Sequence, residues 1–484
     1  MYGSGRLQKR SLSQMIDWKL IICYLLLILI GWLNIYASIH SSEPSSILDF
    51  SVRSGKQAIW ILTALILATL ILFAFNPRLW EVLSIPSYVI VVFLLILVIF
   101  VSSNVKGSHS WFDLGPVRFQ PAELSKITTS LVLAMWMSRQ NFKMSNAKDF
   151  LGVCLILGVP MLAILAESET GSMLVYVGFI FVLYREGLSG WLLAAVGLII
   201  LLFILTLTAS TYVSILVTVG LVSLYYSLQR GKLKRWIFRE VPFIVLLCFL
   251  PKIWSAFEGG GFLEKVSPLY VVLALLAIVA PIFVHRAYRE NIPALWLSLL
   301  GLVAGLVMTF SAQFVFDKVL QDHQKARIEV LLGLKEDPSG VGYNVNQSMI
   351  AIGSGGFAGK GYLKGTQTTY GFVPEQSTDF IFCTVGEEWG FLGCVAVILL
   401  YAFLIMRIIQ DADECRESFT RIYGYCVASL IFMHLFINIG MCIGLMPVIG
   451  IPLPMLSYGG SSLWSFTILI FIFLALYKQE NKYF

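Results

Sequence analysis

Long apolar runs separated by short polar links dominate the pattern of residues along the chain. Runs such as residues 21–33 are continuously apolar, which is typical of membrane-spanning helices and unlike the alternating strands of a β-barrel. Soluble domains carry about 25% charged residues, whereas this 484-residue chain carries 13%, is 58% hydrophobic and has a mean hydropathy of +0.83. The pattern therefore predicts an all-α polytopic membrane protein.

We predict about fourteen spans, with a large polar loop of about residues 313–378 before the last three. Their approximate bounds are residues 20–38, 57–75, 84–102, 124–138, 150–166, 172–184, 190–208, 210–228, 241–257, 268–286, 292–312, 380–406, 421–443 and 462–477. Successive spans cross the membrane in opposite directions, and the basic residues fall in the links that this alternation places on the cytoplasmic side. Examples are the residues before the first span and residues 230–239. Since short basic loops normally lie on the cytoplasmic side, we expect both termini to be cytoplasmic and the large loop to be extracytoplasmic.

The net charge of +6 resides in these short links, so it records membrane orientation and does not indicate a nucleic-acid partner. Most of the eight cysteines lie in apolar runs and none forms a CxxC pair. We therefore predict that they are small core residues.

Three polar clusters fall on the predicted extracytoplasmic side, at residues 111–126, 313–379 and 446–462. The third contains three prolines and a Gly-Gly pair at membrane depth. Irregular backbone is tolerated there only where it lines a cavity or is buried in protein. The clusters therefore predict a cavity that opens towards the outer leaflet.

Acidic residues mark the edges of several predicted spans. Asp379 opens the apolar run that begins at Phe380, and an ionisable group at that depth is costly and by default functional. At least one of Glu387 and Glu388 should point into the bundle for the same reason. Glu167 and Glu169 also lie at a membrane edge, where a cap at the interface is the simpler interpretation.

Two further groups of residues admit both a functional and a structural interpretation. If Pro121 starts a helix, Glu123 and Lys126 share a face at i,i+3. They would then either bind substrate or form a local salt bridge. The glycines of residues 353–361 do not fit a nucleotide P-loop. Together with Lys360 they could bind a diphosphate that is not a nucleotide, or they could form a re-entrant loop.

On the penultimate span, His434 and Asn438 share a helix face. We expect them to form a helix–helix contact.

Three motifs in these clusters, in this order, resemble the SEDS family (RodA, FtsW and SpoVE). The first is Trp111-Phe-Asp-Leu-Gly115 with Val117-Arg-Phe-Gln-Pro-Ala-Glu-Leu-Ser-Lys126. The second is Ala351-Ile-Gly-Ser-Gly-Gly-Phe-Ala-Gly-Lys-Gly361, Gly365-Thr-Gln367 and Pro374-Glu-Gln-Ser-Thr-Asp-Phe-Ile-Phe382, and the third runs from Pro447 to Ser462. The resemblance covers about residues 1–185 and 315–484, and Gly365-Thr-Gln367 leans towards the RodA branch.

The family usually has ten spans, so the resemblance implies a SEDS-like bundle with about four inserted helices. We predict an N-terminal half of the core over 1–189, inserted helices over 190–290 and a C-terminal half over 291–484. The chain departs from the family at Ser168-Glu-Thr-Gly171, where Pro-Asp-Leu-Gly is usual. It also has Gly333-Leu334 where the family commonly has Asp-Pro, so this chain lacks that aspartate.

The resemblance implies a peptidoglycan glycosyltransferase in the bacterial cytoplasmic membrane. It would polymerise lipid II into glycan strands at the outer face, for cell elongation and shape, with a division role left open. The implied partners are a class B penicillin-binding protein acting as transpeptidase, the nascent glycan strand and other proteins of the elongation complex. A lipid II flippase and a non-catalytic scaffold of a wall-synthesis complex are the alternatives.

The family's essential aspartate maps onto Asp379, which we predict to be catalytic, either as a base or as the ligand of a divalent cation (Mg²⁺ or Mn²⁺). Cationic residues would neutralise the diphosphate leaving group. The predicted substrate-binding residues are Arg118, Gln120, Glu123, Lys126, Lys360, Glu375 and Ser461. The candidate supporting acids are Glu169, Glu387 and Glu388.

Overall fold

The computed structural model describes residues 15–39, 46–102, 110–113, 118–256, 267–320, 322–332, 334 and 341–481. The chain divides into two compact units, Met1–Leu188 with Glu336–Phe484, and Ser189–Lys335.

Helices build almost all of the first unit. Before the division they are α1 (Trp18–Ile39), α2 (Arg53–Phe73), α3 (Arg78–Val101), α4 (Pro121–Met137), α5 (Ala147–Ala166), α6 (Thr170–Tyr176) and α7 (Phe179–Arg185). A two-residue antiparallel pair, β1 (Phe112–Asp113) and β2 (Arg118–Phe119), precedes α4. After the second unit come α14 (Val341–Ser354), α15 (Thr366–Thr369), α16 (Ile381–Glu414), α17 (Ser418–Cys442) and α18 (Gly460–Asn481).

The centre of the first unit consists of α4, α17 and α18. Of the apolar stretches of α17 and α18, 83% and 78% are buried, and 14 of the 17 residues of α4 are buried. By contrast, α3 exposes large apolar side chains such as Val82, Phe93 and Phe100, as expected of a helix that faces lipid. The functional motifs therefore attach to the protein-facing helices.

The second unit contains α8 (Gly190–Thr208), α9 (Thr211–Gln229), α10 (Val241–Ala256), α11 (Pro268–Glu290), α12 (Pro293–Phe314) and α13 (Asp322–Leu331). A single turn, Leu233–Arg235, and π-helical turns at Trp236–Glu240 and Val315–Val319 complete it. Ser214 hydroxyl contacts Thr206 and Thr309 hydroxyls at 3.1 Å, so hydroxyl bonds tie α8, α9 and α12 together. Such polar contacts take the place of hydrophobic attraction between helices in lipid.

The helical membrane architecture predicted from the apolar runs is confirmed. Eleven helices in the described parts of the chain are long and apolar enough to cross a membrane, and α4, α10 and the α6–α7 pair are shorter. The count of fourteen spans stays a prediction.

The structure corrects three details of the predicted organisation. The sixth predicted span is two short helices joined at Gly178, where a Cβ atom would lie 2.4 Å from Met433 of α17. The large polar loop contains α13, α14 and α15. Cys154 and Cys248 are exposed, whereas the other six cysteines are buried.

Candidate functional site

The third motif forms an irregular proline segment, residues 446–459, whose carbonyl groups receive donors from neighbouring helices. Proline has no N–H group, so the segment cannot pair its own carbonyls as a helix does. Asn438 Nδ2 donates to Ile451 O at 2.7 Å, and Tyr401 OH donates to Pro454 O. His434 Nδ1 lies 3.1 Å from Pro452 O. These donors meet the requirement that buried backbone groups be hydrogen-bonded.

Asp379 lies at the end of a tight turn, residues 375–379, which we call the aspartate turn. The N–H groups of Thr378 and Asp379 both donate to Glu375 O at 3.1 Å. The proline segment holds the same turn, because Ser457 Oγ donates to Thr378 O at 2.6 Å and Tyr458 N donates to Ser377 O at 2.8 Å. The second and third motifs are therefore one structure around Asp379.

Strained backbone occurs in both segments. Glu375 has φ +51° and Met455 has φ +66°, which is uncommon for residues other than glycine and costs of order 1–3 kcal/mol. Such conformations persist only where the surroundings enforce them, and they concentrate at functional sites.

The first motif reaches the proline segment through a buried network on α4 and α17. Lys126 Nζ lies 2.8 Å from Glu123 Oε1 and 3.0 Å from His434 Nε2, with Lys126 fully buried. An ammonium only donates and the Pro452 carbonyl only accepts, so these partners place the imidazole proton on Nδ1 and make Nε2 the acceptor. The i,i+3 pairing predicted for Glu123 and Lys126 is confirmed.

The prediction for His434 and Asn438 was correct only in part. His434 does join α17 to α4 through Lys126. However, Asn438 binds carbonyls of the aspartate turn and the proline segment, Asp379 and Ile451, and is therefore not a helix–helix contact. A lone polar residue on an apolar helix could signal such a role, but the sequence does not show which loop it faces.

The remaining predicted residues of the site have diverse surroundings. Gln120 is buried directly before α4, and Ser461 lies half-buried in the first turn of α18. Arg118 pairs with Asp113 in the backbone register of β1 and β2. Thr378 Oγ1 donates to the Glu375 carboxylate at 3.3 Å.

Two acids at the α5–α6 junction differ in their environments. Ser110 Oγ donates to Glu169 Oε2 at 2.9 Å. Glu167 is fully buried and its carboxylate oxygens bond to none of the described residues. Burial, together with the charge of Glu169, raises the pKa of Glu167 to about 9. Glu167 is therefore a neutral, proton-bearing acid near pH 7.

Close packing next to these acids links α6 to the proline segment. A Cβ atom at Gly171 would lie 2.9 Å from Ile449 and 3.1 Å from Ile451. The segment that carries Glu169 is thus adjacent to the backbone that Asn438 holds.

The glycine loop, residues 353–361, packs against α16 where that helix is interrupted. Gly390 has φ 65° and ψ −161° inside α16, and Lys360 N and Gly361 N donate to the carbonyls of Glu387 and Glu388, both at 3.0 Å. A Cβ atom at Gly359 would lie 2.1 Å from Glu388 O. The hypothesis that this loop presents these N–H groups to a diphosphate is therefore wrong, because the helix interruption already occupies them.

Glu387 anchors the segment that follows the glycine loop. Its buried carboxylate accepts the N–H groups of Thr366, Gln367 and Thr368 at 2.7, 2.8 and 2.9 Å, and Lys360 Nζ at 2.7 Å. A carboxylate at the start of a helix is favourable, so Glu387 caps α15. The expectation that these acids point inward is confirmed, since Glu387 is 0% and Glu388 1% exposed.

Lys360 and Glu387 form a cluster separate from Asp379. Glu387 lies six positions after Ile381 in α16, which is about 9 Å along the helix axis. Roles for Lys360 in substrate binding and for Glu387 as a supporting acid stay predictions, and in this structure each is the other's partner.

A divalent cation would find few protein ligands here. Among the residues that the structure describes, no three His, Cys, Asp or Glu side chains lie close enough to hold a metal ion. The site therefore does not fit a closed protein metal centre. It does fit a cation held mainly by diphosphate oxygens with one carboxylate, as Mg²⁺ commonly binds.

Comparison with known proteins places this arrangement in a family. A family model for FtsW, RodA and SpoVE, described as cell cycle protein, matches residues 17–238 and 269–482. The insert predicted over 190–290 thus includes two stretches that the family model matches, 190–238 and 269–290, and its placing stays a prediction.

Individual relatives cover nearly the whole chain. Peptidoglycan glycosyltransferase RodA of Treponema pallidum is 30% identical over 451 residues, 93% of this chain and 94% of the relative. Peptidoglycan glycosyltransferase MrdB of Escherichia coli K12 is 29% identical over 442 residues, 91% and 88% of the two chains. A solved chain of a peptidoglycan synthase complex has a TM-score of 0.58 at 21% identity, covering 96% of this chain and 98% of its own.

Proposed function

The chain belongs to the FtsW/RodA/SpoVE family, and from this premise we propose that it is a peptidoglycan glycosyltransferase. It polymerises lipid II into glycan strands at the outer face of the bacterial cytoplasmic membrane. The names of its relatives support the activity. The observation that carries the proposal for this chain is the placement of Asp379, whose backbone carbonyl is held by Asn438 of α17 and whose neighbour Thr378 is held by Ser457 of the proline segment.

Asp379 acts on the acceptor in the proposed reaction. An acceptor sugar hydroxyl attacks the anomeric carbon of the donor, and the bond from that carbon to the undecaprenyl diphosphate oxygen breaks. Asp379 takes the hydroxyl proton, and the electron pair leaves with the diphosphate. General-base catalysis of this kind contributes about 10²–10⁴-fold. The alternative role for Asp379 is to hold Mg²⁺ or Mn²⁺ against the diphosphate, whose charge the cation would neutralise.

Charge on the leaving group has to be balanced by cations. Arg118, in the same motif as Glu123, is a cation that we predict to balance the charge of the diphosphate. Lys126 is buried against Glu123 and His434, which supports a part in holding α4 to α17 over direct contact with the diphosphate.

We propose a class B penicillin-binding protein as the transpeptidase partner. The solved relative comes from a synthase complex in which polymerisation and crosslinking are coordinated, and that coupling requires a crosslinking subunit. Because both relatives carry RodA or MrdB names, we assign the enzyme to cell elongation and shape.

The test is polymerisation of labelled lipid II by the purified chain bound to its cognate transpeptidase, with moenomycin present to silence contaminating polymerases. Wild type should give glycan ladders, and Asp379→Asn should give none. The matched control is Asp317→Asn, the same change at an exposed aspartate of the second unit, which should retain ladders.

Ladders from a folded Asp379→Asn protein would overturn the assignment of Asp379. If wild type makes no polymer with its partner bound, the transferase proposal fails. Movement of labelled lipid II across proteoliposomes then separates a flippase, which moves the lipid, from a scaffold, which does not.

A further inference from the structure

One buried amide on α17 joins the aspartate turn to the proline segment. Asn438 is fully buried, and its Nδ2 atom donates to Asp379 O and to Ile451 O, both at 2.7 Å. A side-chain amide has two N–H groups, so both are used. The amide holds two carbonyls from segments far apart in the sequence at one point.

The bond to Asp379 completes a series along the aspartate turn. The carbonyls of Ser377 and Thr378 bond to the proline segment, through Tyr458 N at 2.8 Å and Ser457 Oγ at 2.6 Å. The next carbonyl, that of Asp379, bonds to a helix. Since sites supported by regular elements are more precise than sites held by loops alone, Asn438 matters as a helix residue that holds both irregular segments with one side chain.

The carboxylate of Asp379 stands against the backbone next to Ile451. A Cβ atom at Gly450 would lie 3.3 Å from Asp379 Oδ2, and Gly450 has φ +75°. A displacement of the Ile451 carbonyl would therefore move the surface that the carboxylate faces.

We propose that Asn438 is the positioning residue for Asp379: its amide fixes the Asp379 and Ile451 carbonyls and so sets where the carboxylate stands against Gly450. The inference rests on the proposed transferase function and holds whether Asp379 serves as base or as metal ligand. Asn438 itself does not contact the reacting atoms.

His434, one turn earlier on α17, makes a related but different contact. Its Nδ1 atom lies near Pro452 O and its Nε2 atom near Lys126. His434 therefore connects the proline segment to Lys126 of α4. Asn438 differs because its amide also holds the residue that carries the acid.

The test measures kcat and KM for lipid II polymerisation by the protein in complex with its transpeptidase, together with the thermal midpoint in detergent. The variants are Asn438→Ala, Asn438→Asp and Asn438→Gln. A displacement of about 1 Å at a reacting group can cost 10²-fold, so Asn438→Ala should lower kcat by about 100-fold while KM stays within about twofold. Asn34→Ala is the matched control, because Asn34 is also fully buried but bonds to Ile30 O of its own helix.

The order of the variants separates positioning from packing. Gln retains two donors and adds one methylene, whereas Asp retains the size and loses the donors. Positioning by donation predicts a higher kcat for Asn438→Gln than for Asn438→Asp. A packing role predicts the reverse, since an extra methylene in a filled site is destabilising.

Gly450→Ala provides an independent measurement if the Asn438 variants do not fold. The added methyl group crowds Asp379 Oδ2, so kcat should fall with KM preserved. Unchanged kcat in a folded Asn438→Ala protein, or an equal loss in Asn34→Ala, would overturn the inference and leave the transferase proposal intact. A wild type that makes no polymer with its partner bound overturns both.

Discussion

The adjacent acids Glu387 and Glu388 should respond in opposite ways to the same substitution. Both are buried, but Glu387 accepts three backbone N–H groups and Lys360 Nζ. The Glu388 carboxylate bonds to none of the described residues, and the N–H groups of Leu363 and Gly365 approach it without reaching hydrogen-bond geometry. Glu387→Gln should therefore destabilise the protein, and Glu388→Gln should not.

The magnitude follows from the groups that Glu387 holds. In Glu387→Gln an NH₂ group replaces one carboxylate oxygen, and it then faces an N–H donor of Thr366, Gln367 or Thr368. Losing one or two hydrogen bonds to a charged group costs about 1.5–3 kcal/mol each. The ion pair adds less than a fully buried pair would, because the Lys360 side chain is 26% exposed and solvent screens it. The expected total is about 2–4 kcal/mol.

Thermal unfolding of the purified variants in detergent, followed by intrinsic fluorescence, measures this difference. One kcal/mol corresponds to about 2–4 °C for domains of 150–250 residues and less for longer chains, so we expect a decrease of about 5 °C for Glu387→Gln. Glu388→Gln should unfold at or above the wild-type temperature, because the neutral amide replaces a buried acid whose oxygens have no hydrogen-bond partner among the described residues. Equal midpoints, or a lower midpoint for Glu388→Gln, would refute the capping role. Lost polymerisation with an unchanged midpoint would instead make Glu387 a functional acid.

Two other substitutions test the packing and the charge of the site. Gly359→Ala should prevent normal folding or lower the thermal midpoint strongly, because its Cβ atom would lie 2.1 Å from Glu388 O at φ +81°. The control is Gly353→Ala, where a Cβ atom would have no atom within 4 Å and which should be neutral or up to about 1 kcal/mol stabilising. Equal midpoints for the two variants would contradict the close approach of the glycine loop to α16. For Glu167, folding raises the pKa from 4.5 to about 9, so its contribution to stability is complete below pH 4.5 and is lost as pH rises towards 9, by up to about 1.4 kcal/mol per pH unit. Midpoints recorded from pH 5 to 9 should therefore fall more steeply for wild type than for Glu167→Gln, and parallel curves would show that Glu167 ionises normally.

The sequence predicts the membrane fold well because its signal is local. A run of about twenty apolar residues is sufficient for a spanning helix, and the predicted bounds of the last span, 462–477, fall within Gly460–Asn481. The sixth span is the exception. At Gly178, between its two short helices, the chain passes close to Met433, a contact between distant residues that hydropathy does not report.

Residue chemistry predicts the candidate site less completely. Asp379 is recognisable because an acid at the start of an apolar run is expensive. The glycines of residues 353–361 suggested a phosphate loop because glycine permits both exposed N–H groups and close backbone approach. Only the structure shows that Gly359 is required for contact with the interrupted helix α16.

The proline segment explains why polar side chains occur on otherwise apolar helices. At membrane depth no water is present to satisfy a carbonyl group, and a segment rich in proline offers few N–H groups to its neighbours. Donors must therefore come from adjacent helices, and Tyr401, His434 and Asn438 supply them to Pro454, Pro452 and Ile451. A helix that provides such donors also fixes the position of the segment. Asn438 is the donor of this set that also holds the backbone of Asp379, so one residue both satisfies the segment and positions the acid, and polar residues on α16 and α17 are the place to look for further determinants of the reaction.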